Sequence, residues 1–477
     1  MRKLSQHAPG GKAKSFDVLI NGGGIVGAVF ASSLLRKAGK GSGLKVGIID
    51  PRKPPLLQSC LEKATPDVRV YALAPRSIGI LDSIGSWKHI FSRSQAYDSM
   101  QVWDASGPGT VRFQSHPEPS LGSIVEDSTV QAAVYQSLQD DGFADGVEFL
   151  FGHSVSRLEI AKDPASGALF HAHVDLVEAG GAGGTATQAT CRLLVGADGA
   201  ASVVRKLSGG ASWGWNYGQE AVVATVKVGS AHTTAWQRYL PTGPLALLPL
   251  WGGYSSIVWS LPVGEARRVQ ALSSEEFLVE LNAALQGPSQ ADCGPGLGLE
   301  PPSGLFRREL ASSAEAVVSA AVLYGAGTSA GRQTPPPVTE VASARVAFPL
   351  QFQQARSYTS PRVALIGDAA HSLHPQAGQG LNLGIRDAEA LATAVASTVA
   401  TGGDIGDASM LQALYGRRQY ARNLAMMGTV DGLNSLFGYN EGAGSRAVRM
   451  ARGVGMLALN SLGPLKDRIA RIATGAH

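Results

Sequence analysis

The chain has 477 residues, is 44% hydrophobic and carries a formal net charge of +4. That length exceeds one simple core and predicts two domains, while so mild a charge, without an arginine-rich or zinc-finger pattern, excludes nucleic acid as an expected partner. Cys60, Cys191 and Cys293 are widely spaced with no CxxC pair, so neither a disulfide framework nor a metal site is expected; no uncharged apolar run reaches the roughly 18 residues of a membrane span.

Residues 1–15 hold Arg2, Lys3, Lys12 and Lys14 and no acid, a pattern shared by a mitochondrial presequence and by a solvated, flexible tail. Residues 16–20 read as a buried strand that runs into Gly22, Gly24 and Gly27, a G-x-G-x-x-G, with a helix over 28–36. Gly22 permits the tight turn, Gly24 the close approach of a pyrophosphate, and Gly27 close helix-to-strand packing. A second apolar strand, 46–49, ends at Asp50, the acid placed for a ribose hydroxyl; a Gly/Lys/Ser loop over 38–43 lengthens the spacing. A Gly/Ala/Thr run over 179–187 suits a hairpin loop, and residues 193–205 form a third strand-turn-helix unit with Asp198 and Gly199 in its turn. Stretches 287–304 and 325–337, rich in Gly, Pro and Ser around a possible helix at 312–323, predict an excursion before a strand at 345–350.

Residues 363–387 carry the densest signal. An apolar run, 363–366, ends in Gly367 and Asp368, whose carboxylate has the reach for a ribityl hydroxyl. His374, Pro375, Gly378, Gly380 and Gly384 then bracket a helix start, where free N–H groups stabilise negative charge on a reduced flavin ring. Beyond it, Arg446, Arg449 and Arg452, an apolar run over 454–462, and Lys466, Arg468 and Arg471 form a basic amphipathic pattern. It fits an anionic membrane surface and, equally, packing against the body of the protein or a partner.

The stretch from His374 to Asp387 resembles the signature of the ubiquinone-biosynthesis hydroxylases, a branch of the class A flavin monooxygenases related to para-hydroxybenzoate hydroxylase; it departs only at Gln376, where the family has a small aliphatic residue. Asp198 and Gly199 with Ser202 and Arg205 resemble the family's Asp-Gly motif, Arg69 its early arginine near FAD, and residues 121–127 (LGSIVED) its Leu-Gly-Tyr-x-Val-Glu-Asn segment, with Ser123 and Asp127 substituted. The resemblance implies an α/β fold: a Rossmann-like FAD-binding domain assembled from residues 16–110, 121–210 and 355–420, an inserted, mainly antiparallel substrate domain over 211–354 and C-terminal helices over 421–477. It also assigns Gly22, Gly24, Gly27, Asp50, Arg69, Asp198, Gly199, Gly367, Asp368, Pro375, Gly378, Gln379, Gly380, Leu381 and Asn382 to the FAD site.

Residues 235–250, 100–105, 215–217 and 221–225 resemble the family's eukaryotic branch, which hydroxylates ring carbon 5 in coenzyme Q biosynthesis. That implies a polyprenylated 4-hydroxybenzoate or polyprenylphenol substrate and chemistry through a flavin hydroperoxide. It also implies reduction by a ferredoxin and its reductase, a peripheral place on the matrix side of the mitochondrial inner membrane, and company with other coenzyme Q proteins. Arg238, Tyr239, Gly243, Pro244 and Leu245 are the substrate-contact candidates; Arg238 reads either as a partner for a ring carboxylate or as a solvated strand arginine. The flavin mechanism needs no nucleophile, and no base is identifiable. His371 is a weak catalytic candidate, whereas His374 reads as structural beside the flavin. Two alternatives stay open: hydroxylation at another ring carbon, and a prenyl carrier on the same fold as in the GDP-dissociation inhibitors.

Overall fold

The computed structural model describes residues 13–105, 109–115, 120–143, 146–162, 169–179, 187–287, 333–375 and 378–437. The chain opens with β1 (Lys14–Asn21), α1 (Ile25–Ala38) and β2 (Val46–Asp50), followed by β3 (Val70–Leu73), β4 (Gln95–Tyr97), β5 (Ser99–Asp104), β6 (Thr110–Gln114) and β7 (Gly122–Glu126). Then come α2 (Asp127–Asp140), β8 (Val147–Phe151), β9 (His153–Lys162), β10 (Leu169–Glu178), β11 (Thr187–Gly196), β12 (Ser212–Val228), β13 (Thr234–Leu240), β14 (Gly243–Pro249) and β15 (Tyr254–Pro262). Helices α3 (Val263–Ala271) and α4 (Ser274–Gln286) precede β16 (Val338–Val341), β17 (Val346–Ala355), β18 (Thr359–Ser360), β19 (Val363–Leu365), β20 (His371–Ser372), α5 (Gln379–Ala400) and α6 (Arg417–Phe437).

The first sheet has a five-stranded parallel core in the order β19-β11-β1-β2-β8. Val18, Leu19 and Ile20 are fully buried in its central strand, the continuous apolar reading of a strand covered on both faces. Helices α1 and α5 pack directly against each other. β9 and β10 extend it as an antiparallel meander onto β11, so the arms of the expected hairpin flank the 179–187 run. The second sheet runs β20-β17-β12-β15-β14-β13-β5-β6, antiparallel except where β5 lies beside β13. Its strands alternate: Trp236, Leu245, Leu247, Ile257 and Trp259 face Phe277, Leu281 and Leu285 of α4, and the intervening residues face the first domain. A small antiparallel sheet, β3-β7-β4, lies between them.

The boundaries differ from the sequence reading in three places. Residues 99–110, assigned there to the FAD-binding domain, enter β5 and the start of β6 in the second sheet, because β5 finds its partner 135 positions away in β13 (Ser99 opposite Thr234). β20 joins the same sheet through Gln353 and Gln354. β1 begins at Lys14, inside the expected tail. β12 starts at Ser212 and β17 ends at Ala355. Residues 1–12, the tip of the hairpin, the excursion with its helix at 312–323, Cys293, Gln376 and the basic C-terminal pattern lie outside the described residues. Among the described residues no helix is long and apolar enough to cross a membrane.

A buried ion pair joins the two domains. Glu126, at the end of β7, accepts from Arg93 through both oxygens (2.9 and 3.1 Å), from the Asp67 N–H (2.9 Å) and from Trp251 Nε1 of the second domain (2.8 Å). Arg93 also donates to the carbonyls of Leu61 and Lys63 and lies 4.2 Å from the Trp251 ring centroid. Every lone pair and guanidinium hydrogen of such a pair has to be satisfied for its burial to be tolerated. Replacing Arg93 with Met is expected to lower unfolding free energy by roughly 3–5 kcal/mol, measured from denaturant midpoints, because it strands the Glu126 charge.

Candidate active site

A cavity of about 760 Å³ lies between the two sheets. The first domain supplies one wall from Gly22, Gly24, Asp50, Arg69, Asp198, Gly199, Asp368, Pro375, Gly378, Gln379, Gly380 and Leu381, so twelve residues scattered over 360 positions of sequence converge there. Gly22 has a φ of +114°, and a Cβ there would meet the Ala197 carbonyl at 2.2 Å; a Cβ on Gly27 would meet the Gly22 carbonyl at 2.0 Å. Gly24 is different: a Cβ there would meet nothing of the protein within 4 Å, so only the cavity contents lie before it. The N-termini of α1 and α5, at Gly24 and Gly378, have neither a side-chain cap nor an acid in the first turn. Both turn an uncapped, positive dipole end to the cavity, as a pyrophosphate and an anionic flavin ring require.

The remaining polar groups are oriented by one another. Asp50 accepts from the N–H groups of Gly23 and Arg52 (both 2.8 Å). Asp198 accepts from Asn21 Nδ2 (2.9 Å), Ser202 Oγ (2.6 Å) and Val203 N–H (2.7 Å), tying the first glycine turn to the second. Arg205 donates to the carbonyls of Ala369 (2.5 Å) and Ala200 (2.7 Å), joining the second turn to the third. Arg69 is largely accessible from the cavity, its Nε 3.9 Å from Asp127 Oδ1 and its guanidinium 5.5 Å from the Tyr71 ring centroid. Tyr71 donates to that same Asp127 oxygen (2.9 Å). Burial raises the pKa of the Tyr71 phenol, and Asp127 adds to the shift. Asp368 faces the cavity interior, where enclosure pushes its carboxyl above the usual carboxylate range against the pull of His371 and Arg69.

Three residues assigned to the FAD site do not line the cavity. Gly27 and Gly367 act through close packing on Gly22 and Val26, and Asn382 is buried, accepting from the Ala74 N–H (2.9 Å) and donating to the carbonyls of Ala72 (2.8 Å) and Gly378 (2.9 Å). It fastens β3 to the start of α5. Tyr71, Asp127 and Gln131 line the cavity without having been singled out; the only signal was the LGSIVED segment, in which Asp127 replaces asparagine.

Behind the third turn is Asp387, fully buried. Its Oδ2 accepts from the Gly367 N–H (3.0 Å) and lies 2.6 Å from His371 Nε2; its Oδ1 accepts from Gln419 Nε2 and Asn423 Nδ2 of α6, each at 2.8 Å. Burial opposes protonation of His371, but the Asp387 carboxylate outweighs it and raises the imidazole pKa above its ordinary value. His371 is thus engaged away from the cavity and does not line it, which removes it as a general base. His374 is buried against the Tyr217 ring (5.2 Å between centroids), and desolvation lowers its pKa to about 4, so the imidazole is neutral.

The second sheet forms the other wall, with Met100, Val223, Ala235, Gln237, Pro244, Ala246, Leu248, Ser256, Val258 and Ser260. Of the substrate-contact candidates only Pro244 lies on it. Arg238 occupies the opposite parity of β13 and donates to the Ala284 carbonyl of α4 (3.0 Å), and Leu245 is buried in the core on that face. Tyr239 is on the cavity side of β13 but packs with Val111, and a Cβ on Gly243 would meet the Ser260 carbonyl at 2.3 Å. Arg238 is neither solvated nor placed to meet a ring carboxylate.

The FAD binding domain family matches residues 15–292 and 330–425. The chain is 34% identical to "Ubiquinone biosynthesis monooxygenase COQ6, mitochondrial" of Homo sapiens over 471 residues, 96% of this chain and 92% of the relative. The protein of the same name from Dictyostelium discoideum is 31% identical over 97% of this chain and 92% of its own length. The chain belongs to the COQ6 family of FAD-dependent monooxygenases. Two solved structures have the same fold as this COQ6-family chain. They are p-nitrophenol 4-monooxygenase PnpA from Pseudomonas putida (TM-score 0.65, 17% identity, 96% and 97% of the two chains) and PqsL, a probable FAD-dependent monooxygenase from Pseudomonas aeruginosa (TM-score 0.63, 22% identity, 93% and 100%). FAD is the cofactor, and the uncapped helix ends and the open Gly24 suit its pyrophosphate and ring.

Gly24 offers a clean test of this arrangement, since its φ of −66° suits any L-residue. Replacing it with Val is expected to leave the thermal midpoint of the apoprotein unchanged while weakening FAD binding by about tenfold or more, measured by flavin fluorescence titration.

Proposed function

We propose that this chain hydroxylates carbon 5 of a 3-polyprenyl-4-hydroxybenzoate, or of the corresponding 2-polyprenylphenol, in ubiquinone biosynthesis. The carrying observation is the two-sided cavity: the FAD motifs form one wall, and a mostly apolar antiparallel sheet faces them across the same space. An aromatic headgroup lying on that sheet is held against whatever the first wall binds. Near-full-length likeness to proteins named for ubiquinone biosynthesis supports the same reading.

Bound and reduced FAD supplies oxygen activation for insertion into an electron-rich ring. The chain's own groups do the rest. Gly24 and the α1 N-terminus would hold the pyrophosphate, Asp50 and Asp368 the ribose and ribityl hydroxyls, and Arg69 with the α5 N-terminus the negative charge of the reduced ring. Pro244, Ala246, Val258 and Val223 would exclude water from the reacting carbon. The neutral His374 fills space beside Tyr217 without placing a cation there. A polyprenyl tail, a ferredoxin with its reductase as electron source, and a peripheral place on the matrix face of the mitochondrial inner membrane with other coenzyme Q proteins complete the reading. The names of the relatives support the mitochondrial part of that reading.

The test is anaerobic reduction of the flavoprotein by ferredoxin and its reductase, against NADPH alone, with a short-tailed 3-prenyl-4-hydroxybenzoate and product analysis after oxygen is admitted. Fast reduction by ferredoxin and a 5-hydroxylated product are expected. Reduction by NADPH alone, or oxygen at another carbon, would move the chain to another ring-hydroxylase branch.

A further inference from the structure

The sheet wall of the cavity is mostly methyl and methylene surface, which makes its polar groups conspicuous. Gln237 stands on the cavity face of β13 and is almost fully buried. Its Nε2 donates to the Tyr239 hydroxyl two residues along the same face (3.1 Å). Its other end, Oε1, makes no hydrogen bond among the described residues, and the side chain belongs to the cavity lining. Ala246 lies directly across the strand pair from Gln237, Val258 lies beyond it, and Ala235 precedes Gln237 on the same face. The two alanines put only methyl groups beside the carboxamide on that face. Ser256, fully buried on the same wall, has an Oγ with no hydrogen-bond partner among the described residues, a second polar group uncommitted to the protein. Burying a carboxamide oxygen and a hydroxyl in apolar surroundings is costly unless something bonds to them.

We propose that Gln237 is the specificity-determining residue that accepts a hydrogen bond from the ring hydroxyl of a phenolic substrate, with Tyr239 as the positioning residue that holds the carboxamide. This rests on the phenolic reading above and names the group that recognises it. The Tyr239 hydroxyl serves as the acceptor for Nε2, and burial drives its pKa upward, so it stays un-ionised. With one Nε2 hydrogen engaged by Tyr239, the carbonyl oxygen is left as the side chain's unpartnered acceptor. The site would therefore select a ring that donates a hydrogen bond and reject one that cannot, the kind of discrimination that a buried unpaired acceptor imposes.

The holoenzyme is titrated with a short-tailed 2-prenylphenol and with the analogue in which fluorine replaces the hydroxyl, Kd being read from the perturbed flavin absorbance. Wild type is expected to bind the phenol about tenfold or more tightly than the fluoro analogue. Gln237→Leu is expected to bring the two within about twofold by weakening the phenol alone, and Tyr239→Phe to give an intermediate ratio through loss of positioning. A ratio that survives in Gln237→Leu overturns the proposal, as does a wild type that does not discriminate. Should the Leu variant fail to fold, Gln237→Asn, one methylene short of the same reach, decides the matter by the same ratio. Discrimination that depends on Gln237, in an enzyme that yields no hydroxylated product, would leave this contact standing while removing the proposed reaction.

Discussion

Much of the site depends on a single buried carboxylate. Asp387 takes hydrogen bonds from the backbone of the third glycine turn, from His371 and from two amides of α6, and it is wholly removed from water. A charge in that position is tolerated only because its oxygens are so fully engaged. The consequence is geometric. Gly367 is held in a left-handed conformation (φ +59°) over Val26 of α1, and Asp368 is turned to the cavity. The turn that meets the cofactor is thereby bolted to α5 and α6 from behind, so nothing on the cavity side has to hold it.

The same economy recurs at each junction. Asp198 and Arg205 link the three turns to one another, Asn382 links β3 to α5, and Glu126 with Arg93 and Trp251 links the two domains. These groups spend their hydrogen-bonding capacity on the protein. The helix ends in front have neither a side-chain cap nor an acid in the first turn, and that is what makes the wall receptive to an anion. The opposite wall is built by strand alternation, which sends the bulky aromatic half of the second sheet toward α4 and leaves a smooth, small-residue surface toward the cofactor.

Sequence alone reveals the first wall better than the second, for physical reasons. A glycine turn after a buried strand is a local demand, so Gly22, Gly24, Asp198 and Gly378 could be read from a few neighbouring residues. Which face of β13 meets the cavity is not local. A shift of one residue exchanges the faces, so local sequence does not distinguish Arg238, which faces α4, from Gln237 beside it, which lines the cavity. The placement of β5 was hidden for a similar reason, since its pairing with β13 spans more than a hundred residues. Asp387 is visible only as the last letter of a motif; that its α6 partners lie 32 and 36 positions further on cannot be read from spacing.

The measurement that tests this account most directly is the FAD affinity of Asp387→Asn, taken on protein shown by circular dichroism to be folded. An amide there cannot accept from all the donors that surround it. The account predicts FAD binding weakened by about tenfold or more, although residue 387 does not touch the cavity. A folded variant that binds FAD with wild-type affinity would contradict it.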